Sequence, residues 1–267
     1  MRSPTQSEKP GVPIVRALDR GIALLRAFSA AAPRRTLTEL SKAAELDKGT
    51  TRRLLHTLVQ AGLVDHDEMT GLYSLGVGVL ELASAVETGR ELREIAAPYM
   101  TELAERTGTT AYLWVHHEGS ALCVERVRAT IPNVDATWFT VGSLAPLNSG
   151  GGPRVLLGFL SPGELQHALS GDLPKRTIKS QTSSKLLAAE AARIRERGWE
   201  LAVDDFVVGL AALGVPIFDR NGLLAGSLSI TTLTAQLVEN DKPRHLDLLR
   251  KTADEIGAKI YGGLTNR

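Results

Sequence analysis

Residues 37–64 read LTELSKAAELDKGTTRRLLHTLVQAGLV, and this stretch restricts the fold of the first third of the chain more than any other. Apolar residues recur at three- and four-residue steps on both sides of a polar break, ELDK, which predicts two short amphipathic helices. In the first, Leu37, Leu40 and Ala44 face inward, with Thr36 or Thr38 as the cap. In the second, Thr51, Leu54, Leu55, Leu58 and Ala61 form the inward side. Asp47 or Thr50 stands near its start, and Gly62 takes the position that ends it. Neither helix can bury its stripe alone. A third, from about Ile14 to Ala30 and broken by Pro33, offers Ile14, Leu18, Ile22, Leu25 and Phe28 as the partner face.

The period then changes. LVDH and LYSL are short β-type runs on either side of DEMTG, a hairpin with Gly71 in or near its turn. Three helices followed by a hairpin is the order of a winged helix-turn-helix, whose third helix lies in the DNA major groove. On that helix Gly49, Arg52, Arg53, His56 and Gln60 lie on or beside one open face. An arginine can pair bidentately with guanine, worth roughly 1–3 kcal/mol of discrimination. The competing reading is a solvated face of a three-helix bundle, and the hairpin weighs against it. Charge agrees: residues 14–56 hold nine Lys/Arg against four Asp/Glu, whereas the whole chain is only +1. A basic segment on a slightly acidic body points to an anionic partner for the first part alone.

Beyond about residue 76 a helical segment links two parts, with Gly89 interrupting it before RELREIAAPYMTELAERTG. TAYLWVHH and ALCVERV read as a strand pair around EGS, WFTV as a further strand, and SGGGPRVLLGFL as a helix opened by glycines. A helix over 182–197, strands in WELAVDD and LAALGVPIFD, a hairpin return in LLAGSLSITT and a closing helix over Pro243–Leu264 complete an α+β domain with an antiparallel or mixed sheet.

Other classes of protein fit poorly. No apolar run approaches the roughly 20 residues that span a bilayer, and MRSPTQSEKPGVP has no apolar signal region and reads as a disordered tail over 1–13. One cysteine, Cys123, allows no internal disulfide and fits a reducing cytoplasm. Catalytic motifs of the G-x-S-x-G, P-loop and H-E-x-x-H types are missing. Cys123 sits in an apolar strand, while His116 and His117, like Asp204 and Asp205, are adjacent and project to opposite sides. Enzymatic activity, metal and cofactor are therefore not expected.

The segments RALDRGIALLRAF, TLTELSKAAELDKGTTRRLLHTLVQAGLV, YSLG and LREIAAPYMTELAERTG resemble the IclR family of bacterial transcriptional regulators. So do PLNSGGGPRVLLG, IRERGWEL and GVPIFDRNGLLAGSLSIT, in the family's order and spacing from about Val15 to Leu264. The resemblance implies a winged helix-turn-helix domain (14–76), a linker helix (77–89) and a GAF-like effector-binding domain (90–267) with a mostly antiparallel sheet flanked by helices. It also implies a ligand-responsive regulator, more often a repressor, that binds a double-stranded operator as a homodimer or a dimer-of-dimers tetramer. The alternative is a small-molecule binding module whose helical N-terminus contacts protein instead of DNA.

Carried over residue by residue, the DNA contacts implied are Lys48, Gly49, Thr50, Thr51, Arg52, Arg53 and His56, with Arg16, Arg20, Arg34 and Arg35 on phosphates. Asp65, Asp67 and Glu68 depart from the basic wing tip that a phosphate backbone would favour. The loop Asn148, Ser149, Gly150, Gly151 and Gly152 would line the effector pocket, its amides and helix end favouring a carboxylate. Ser229 and Thr231, two apart on a strand, would turn their hydroxyls to the same pocket. Ala202 and Ala212 stand where members that bind small oxoacids carry an acid and a cysteine, and Ala145 replaces a larger residue. Together with an apolar wall from Ile131, Val134, Thr137 and Trp138, this implies a bulkier or less polar effector, the alternative being that the small residues only compensate for larger neighbours in the core.

Overall fold

The computed structural model describes residues 15–29, 32–86, 90–131, 134, 138–240 and 242–260. The expected tail over 1–13 and the expected break at Gly89 lie outside them. Residues up to Val86 form one compact unit, and those from Glu87 onward form a second.

The first unit runs α1 (Arg16–Arg26), β1 (Arg34–Thr36), α2 (Leu37–Ala43), α3 (Lys48–Gln60), β2 (Val64–Asp67), β3 (Leu72–Leu75) and α4 (Gly78–Ser84). Local chemistry sets each start. Thr36 opens α2 with a capping box: its hydroxyl accepts from the Glu39 N–H, and the Glu39 carboxylate accepts from the Thr36 N–H at 2.7 Å. Asp47 opens α3, its Oδ1 accepting from the Thr50 N–H at 2.8 Å. Gly62, at φ +69°, turns the chain out of α3 in a conformation that side chains resist. Leu24, Phe28, Leu40, Leu55 and Val64 close the core between the helices and the wing.

Three details differ from the sequence-based expectation. The wing is a three-stranded antiparallel sheet in the order β1-β3-β2, because residues 34–36 pair with β3. Of the stripe read in sequence Leu25 and Phe28 pack inward, joined by Gly21 and Leu24, whereas Leu18 (64% exposed) and Ile22 (40%) face solvent. The linker helix, α4, ends at Ser84, short of the expected 77–89, and 87–89 lie outside the described residues.

The second unit begins with α5 (Arg90–Thr107), β4 (Thr110–His117), β5 (Ser120–Arg128), β6 (Leu144–Pro146), α6 (Gly151–Phe159), α7 (Pro162–Ser170) and α8 (Ser184–Arg197). It continues with β7 (Glu200–Val203), β8 (Leu210–Phe218), β9 (Leu224–Leu233), α9 (Thr234–Leu237), the short pair β10 (Val238–Glu239) and β11 (Lys242–Pro243), and α10 (Leu246–Gly257). Six strands form one fully antiparallel sheet in the order β6-β5-β4-β9-β8-β7. Side chains alternate along each strand. Leu113, Leu213, Leu228 and Ile230 therefore pack with α5 and α10 on one face, and Tyr112 and Trp114 pack with α6 and α8 on the other. This is the α+β class expected.

The WFTV segment is not a strand. Thr140 and Ser143 close a turn on each other, the Thr140 N–H donating to Ser143 Oγ and the Ser143 N–H to the Thr140 carbonyl, and that turn consumes the backbone a strand would have used. The closing helix starts at Leu246, three residues later than expected, and residues 261–267 lie outside the described set.

Candidate nucleic-acid interface and effector cavity

α3 is 13 residues, about 20 Å long at 1.5 Å per residue. Lys48, Gly49, Arg52, Arg53, His56 and Gln60 are all exposed on it, and Thr50 is half-buried beside them. Neither the Arg52 nor the Arg53 guanidinium is engaged in an ion pair or a hydrogen bond among the described residues. Hydrogen bonds from Thr50 hold the Asp47 carboxyl below the usual range, with Arg53 adding a small pull in the same direction. Thr51 is a correction: its side chain is fully buried and its hydroxyl donates to the Asp47 carbonyl, so it holds the helix and cannot touch a partner.

The other cations sit elsewhere. Arg16 and Arg20 are exposed on α1. Arg34 and Arg35 belong to β1, opposite Ser74 and Tyr73 of the wing, and Arg35 is partly buried. The acidic wing now has a structural cause. Asp67 accepts from the Met69 N–H (3.0 Å), the Thr70 N–H (3.3 Å) and the Thr70 hydroxyl (2.7 Å), so its charge closes the hairpin turn. The Thr70 hydrogen bond holds that carboxyl below its ordinary range, and the field of Arg34 adds to the effect.

In the second unit, strand register gathers the other candidates. Ala202, Ala212 and Thr231 stand side by side across β7, β8 and β9, and Gly214, Ser229 and Tyr112 form the next row. α6 lies on this face at very short range. A Cβ at Gly151 would collide with the Ala212 carbonyl, and one at Gly152 with the Trp114 ring and Ser229 Oγ. The glycine cluster thus permits close packing as well as a turn, with Gly150 at φ +81°. Ser227 Oγ donates to the Gly152 carbonyl at 2.8 Å, and the Trp114 indole N–H donates to Ser229 Oγ at 2.9 Å.

Between these strands and the start of α6 lies a cavity of about 530 Å³, counting its open mouth. Ser149, Gly150, Gly151, Gly152, Ala202, Ala212, Ser229, Thr231 and Trp138 all line it. The sequence reading missed most of the remaining wall. Trp114 meets Phe139 edge-on at 5.2 Å, and Phe139 meets Phe206 at 5.0 Å, so three aromatic rings follow one another around it. Asp205 also lines the cavity, 5% exposed, its Oδ2 accepting from the Gly150 N–H at 2.9 Å. It entered the sequence reading only as half of an implausible catalytic pair.

Other residues named from the sequence are not placed on this wall. Asn148 is fully buried away from this cavity, its Nδ2 donating to the Pro174 (3.1 Å) and Gln181 (2.9 Å) carbonyls. Val134 is not part of the wall, Ile131 is 85% exposed, and Thr137 lies outside the described residues. Ala145 lines a different cavity, beneath Leu169 and Pro174. Nor is the pocket stripped of acid by Ala202, since Asp205 follows three residues later.

Behind Asp205 stands a buried ionic cluster. Arg154 reaches Glu190 (2.6 Å), Glu200 (3.2 Å) and Asp205 (3.8 Å), and Glu200 also pairs with Arg197. Burial pushes the Asp205 and Glu200 carboxyls up, against the Gly150 N–H and Arg154 for the first and the two arginines for the second.

A winged helix-turn-helix with a free cationic helix, together with a separate α+β unit holding a small apolar cavity, defines the class of ligand-responsive DNA-binding regulators. Residues 17–68 match the IclR helix-turn-helix domain, and residues 84–258 match the C-terminal domain of the bacterial transcriptional regulator IclR. The chain belongs to the IclR family of bacterial transcriptional regulators, and is a DNA-binding regulator rather than an enzyme. It is 28% identical over 229 residues to the glycerol operon regulatory protein of Streptomyces griseus, covering 86% of this chain and 89% of that protein. It is 27% identical over 264 residues to the transcriptional repressor AllR of Escherichia coli (strain K12), covering 96% and 94%. In fold it is similar to an IclR homologue from Microbacterium hydrocarbonoxydans solved with 4-hydroxybenzoate, at TM-score 0.77 and 22% identity, covering 90% of this chain and 97% of that one.

Proposed function

We propose that the protein is a repressor that grips an operator with the outer face of α3 and changes that grip when a small organic molecule fills the cavity beside α6. The observation that carries the first half is the exposure of Arg52, Arg53 and His56 on one side of α3, with neither guanidinium in an ion pair or hydrogen bond among the described residues. A helix of this diameter fits the roughly 12 Å major groove. Lys48, Gly49 and Thr50 sit at its N-terminal end, where recognition helices meet base edges. Arg16, Arg20, Arg34 and Arg35 would fix register on phosphates. The repressor sense is supported by the likeness to the repressor AllR. A regulator of this kind works where the DNA is, in the cytoplasm, and no helix among the described residues is long and apolar enough to cross a membrane.

Self-association is part of the proposal. Val15, Leu18 and Ile22 at α1 and Val77, Leu80, Leu82 and Val86 at α4 are all exposed apolar side chains. A second copy of the chain covering them gives a dimer, or a tetramer of two dimers, and sets the spacing of two recognition helices. The effector would then act as a population shift between two spacings.

The test is mobility-shift titration of the full-length protein with DNA from upstream of its own gene. Saturable binding that resists competitor DNA supports the reading. Binding to no such fragment would leave α3 a protein-contact surface instead.

A further inference from the structure

The polar end of the cavity already contains a carboxylate. Among the amides that open α6, that of Gly150 is taken by Asp205 Oδ2 at 2.9 Å, and Pro153 has none to give. Gly151 and Gly152 remain, and first-turn amides have no carbonyl within their own helix. Ser149 Oγ, also on the cavity wall and buried, has no partner among the described residues. The groups with capacity left are therefore donors from α6 on one side and, on the other, the Asp205 carboxylate, which besides the Gly150 N–H takes a hydrogen bond from its own N–H.

In this corner three acids share one buried guanidinium. Glu190, Glu200 and Asp205 converge on one guanidinium, that of Arg154. Arg197 pairs with Glu200 and Arg193 with Glu190, both from more exposed positions. Asp204 adds a further acid beside Asp205, and Arg176 is stacked over Phe206 at 5.2 Å. Among the described residues no cationic side chain lines the cavity.

Taking the cavity as the effector pocket, we propose that it selects an uncharged aromatic molecule whose head group both accepts from the α6 amides and donates to Asp205, an aromatic amide or alcohol in preference to the matching carboxylate. A carboxylate head would accept from Gly151 and Gly152 but could offer Asp205 only like charge, in a site too dry to screen it. An amide satisfies both sides. The ring sits against Trp114, Phe139 and Phe206, and Ala202 and Ala212 leave the space for it.

The experiment titrates the full-length protein at neutral pH with naphthamide and naphthoate, which share a ring system and differ at the head group, following tryptophan fluorescence and melting temperature. The expected result is at least about tenfold tighter binding of the amide. Asp205→Asn, whose side chain carries no charge, should bring the two within about threefold by admitting naphthoate. Equal or tighter binding of naphthoate to the wild type overturns the proposal, with or without a folded variant. Ala212→Trp, which fills the cavity, separates the two levels of inference. Probes that bind this variant as they bind the wild type, or that do not bind the wild type at all, overturn the pocket reading itself.

Discussion

The Trp114 indole N–H donates to Ser229 Oγ at 2.9 Å, joining β4 to β9 beneath the first turn of α6. Both groups are buried, so the bond has no water to replace it. Ser229→Ala should leave the indole N–H unsatisfied and cost about 1–3 kcal/mol, read by denaturant unfolding followed through tryptophan emission. An unchanged midpoint would mean that the serine matters only to a ligand.

Arg154 should matter more than any single pocket residue. Its loss would leave Glu190, Glu200 and Asp205 converging without their central cation. Arg154→Ala should destabilise the second unit by about 3–5 kcal/mol, the usual penalty for orphaning a buried charge. Calorimetry of the full-length variant should show a transition assigned to that unit moving down in temperature while the other stays.

Asp47 gives the recognition helix a pH dependence. Hydrogen bonds from Thr50 lower its folded-state pKa below the ordinary 3.8. The stabilisation is therefore fully present above that ordinary value and disappears as pH falls through the lowered one. Thermal scans between neutral and strongly acidic pH should show Asp47→Ala less stable than wild type at neutral pH, with the gap closing in acid. A gap that persists in acid would show that the helix does not depend on this cap.

How far the sequence foretold these features depends on their range. α3, its cap and its exit at Gly62 are local, written in the spacing of Leu54, Leu55 and Leu58 and in single residues at each end. The open cationic side of α3 followed from the same period. α1 shows the limit of periodicity, because it is apolar on two adjacent sides, and only packing against Leu40 and Leu55 decides that Leu24 turns inward and Leu18 outward. Strand alternation placed Ser229 and Thr231 on one wall, yet nothing local tells Asp205 that Gly150 is its partner 55 residues away. Asn148 failed for the same reason: the carbonyls that hold it belong to Pro174 and Gln181, in a loop without periodic pattern. The short strand β1 is visible only once β3 lies beside it.

Direct contact between α3 and duplex DNA is best measured by fluorescence anisotropy of the full-length protein on its upstream DNA across a salt series. The wild type should lose affinity steeply as salt rises, because each neutralised phosphate releases counterions. Arg52→Ala with Arg53→Ala should bind at least about tenfold more weakly and show a shallower salt slope, while the melting temperature stays near that of the wild type. A folded double variant with undiminished affinity and an unchanged slope would contradict the account.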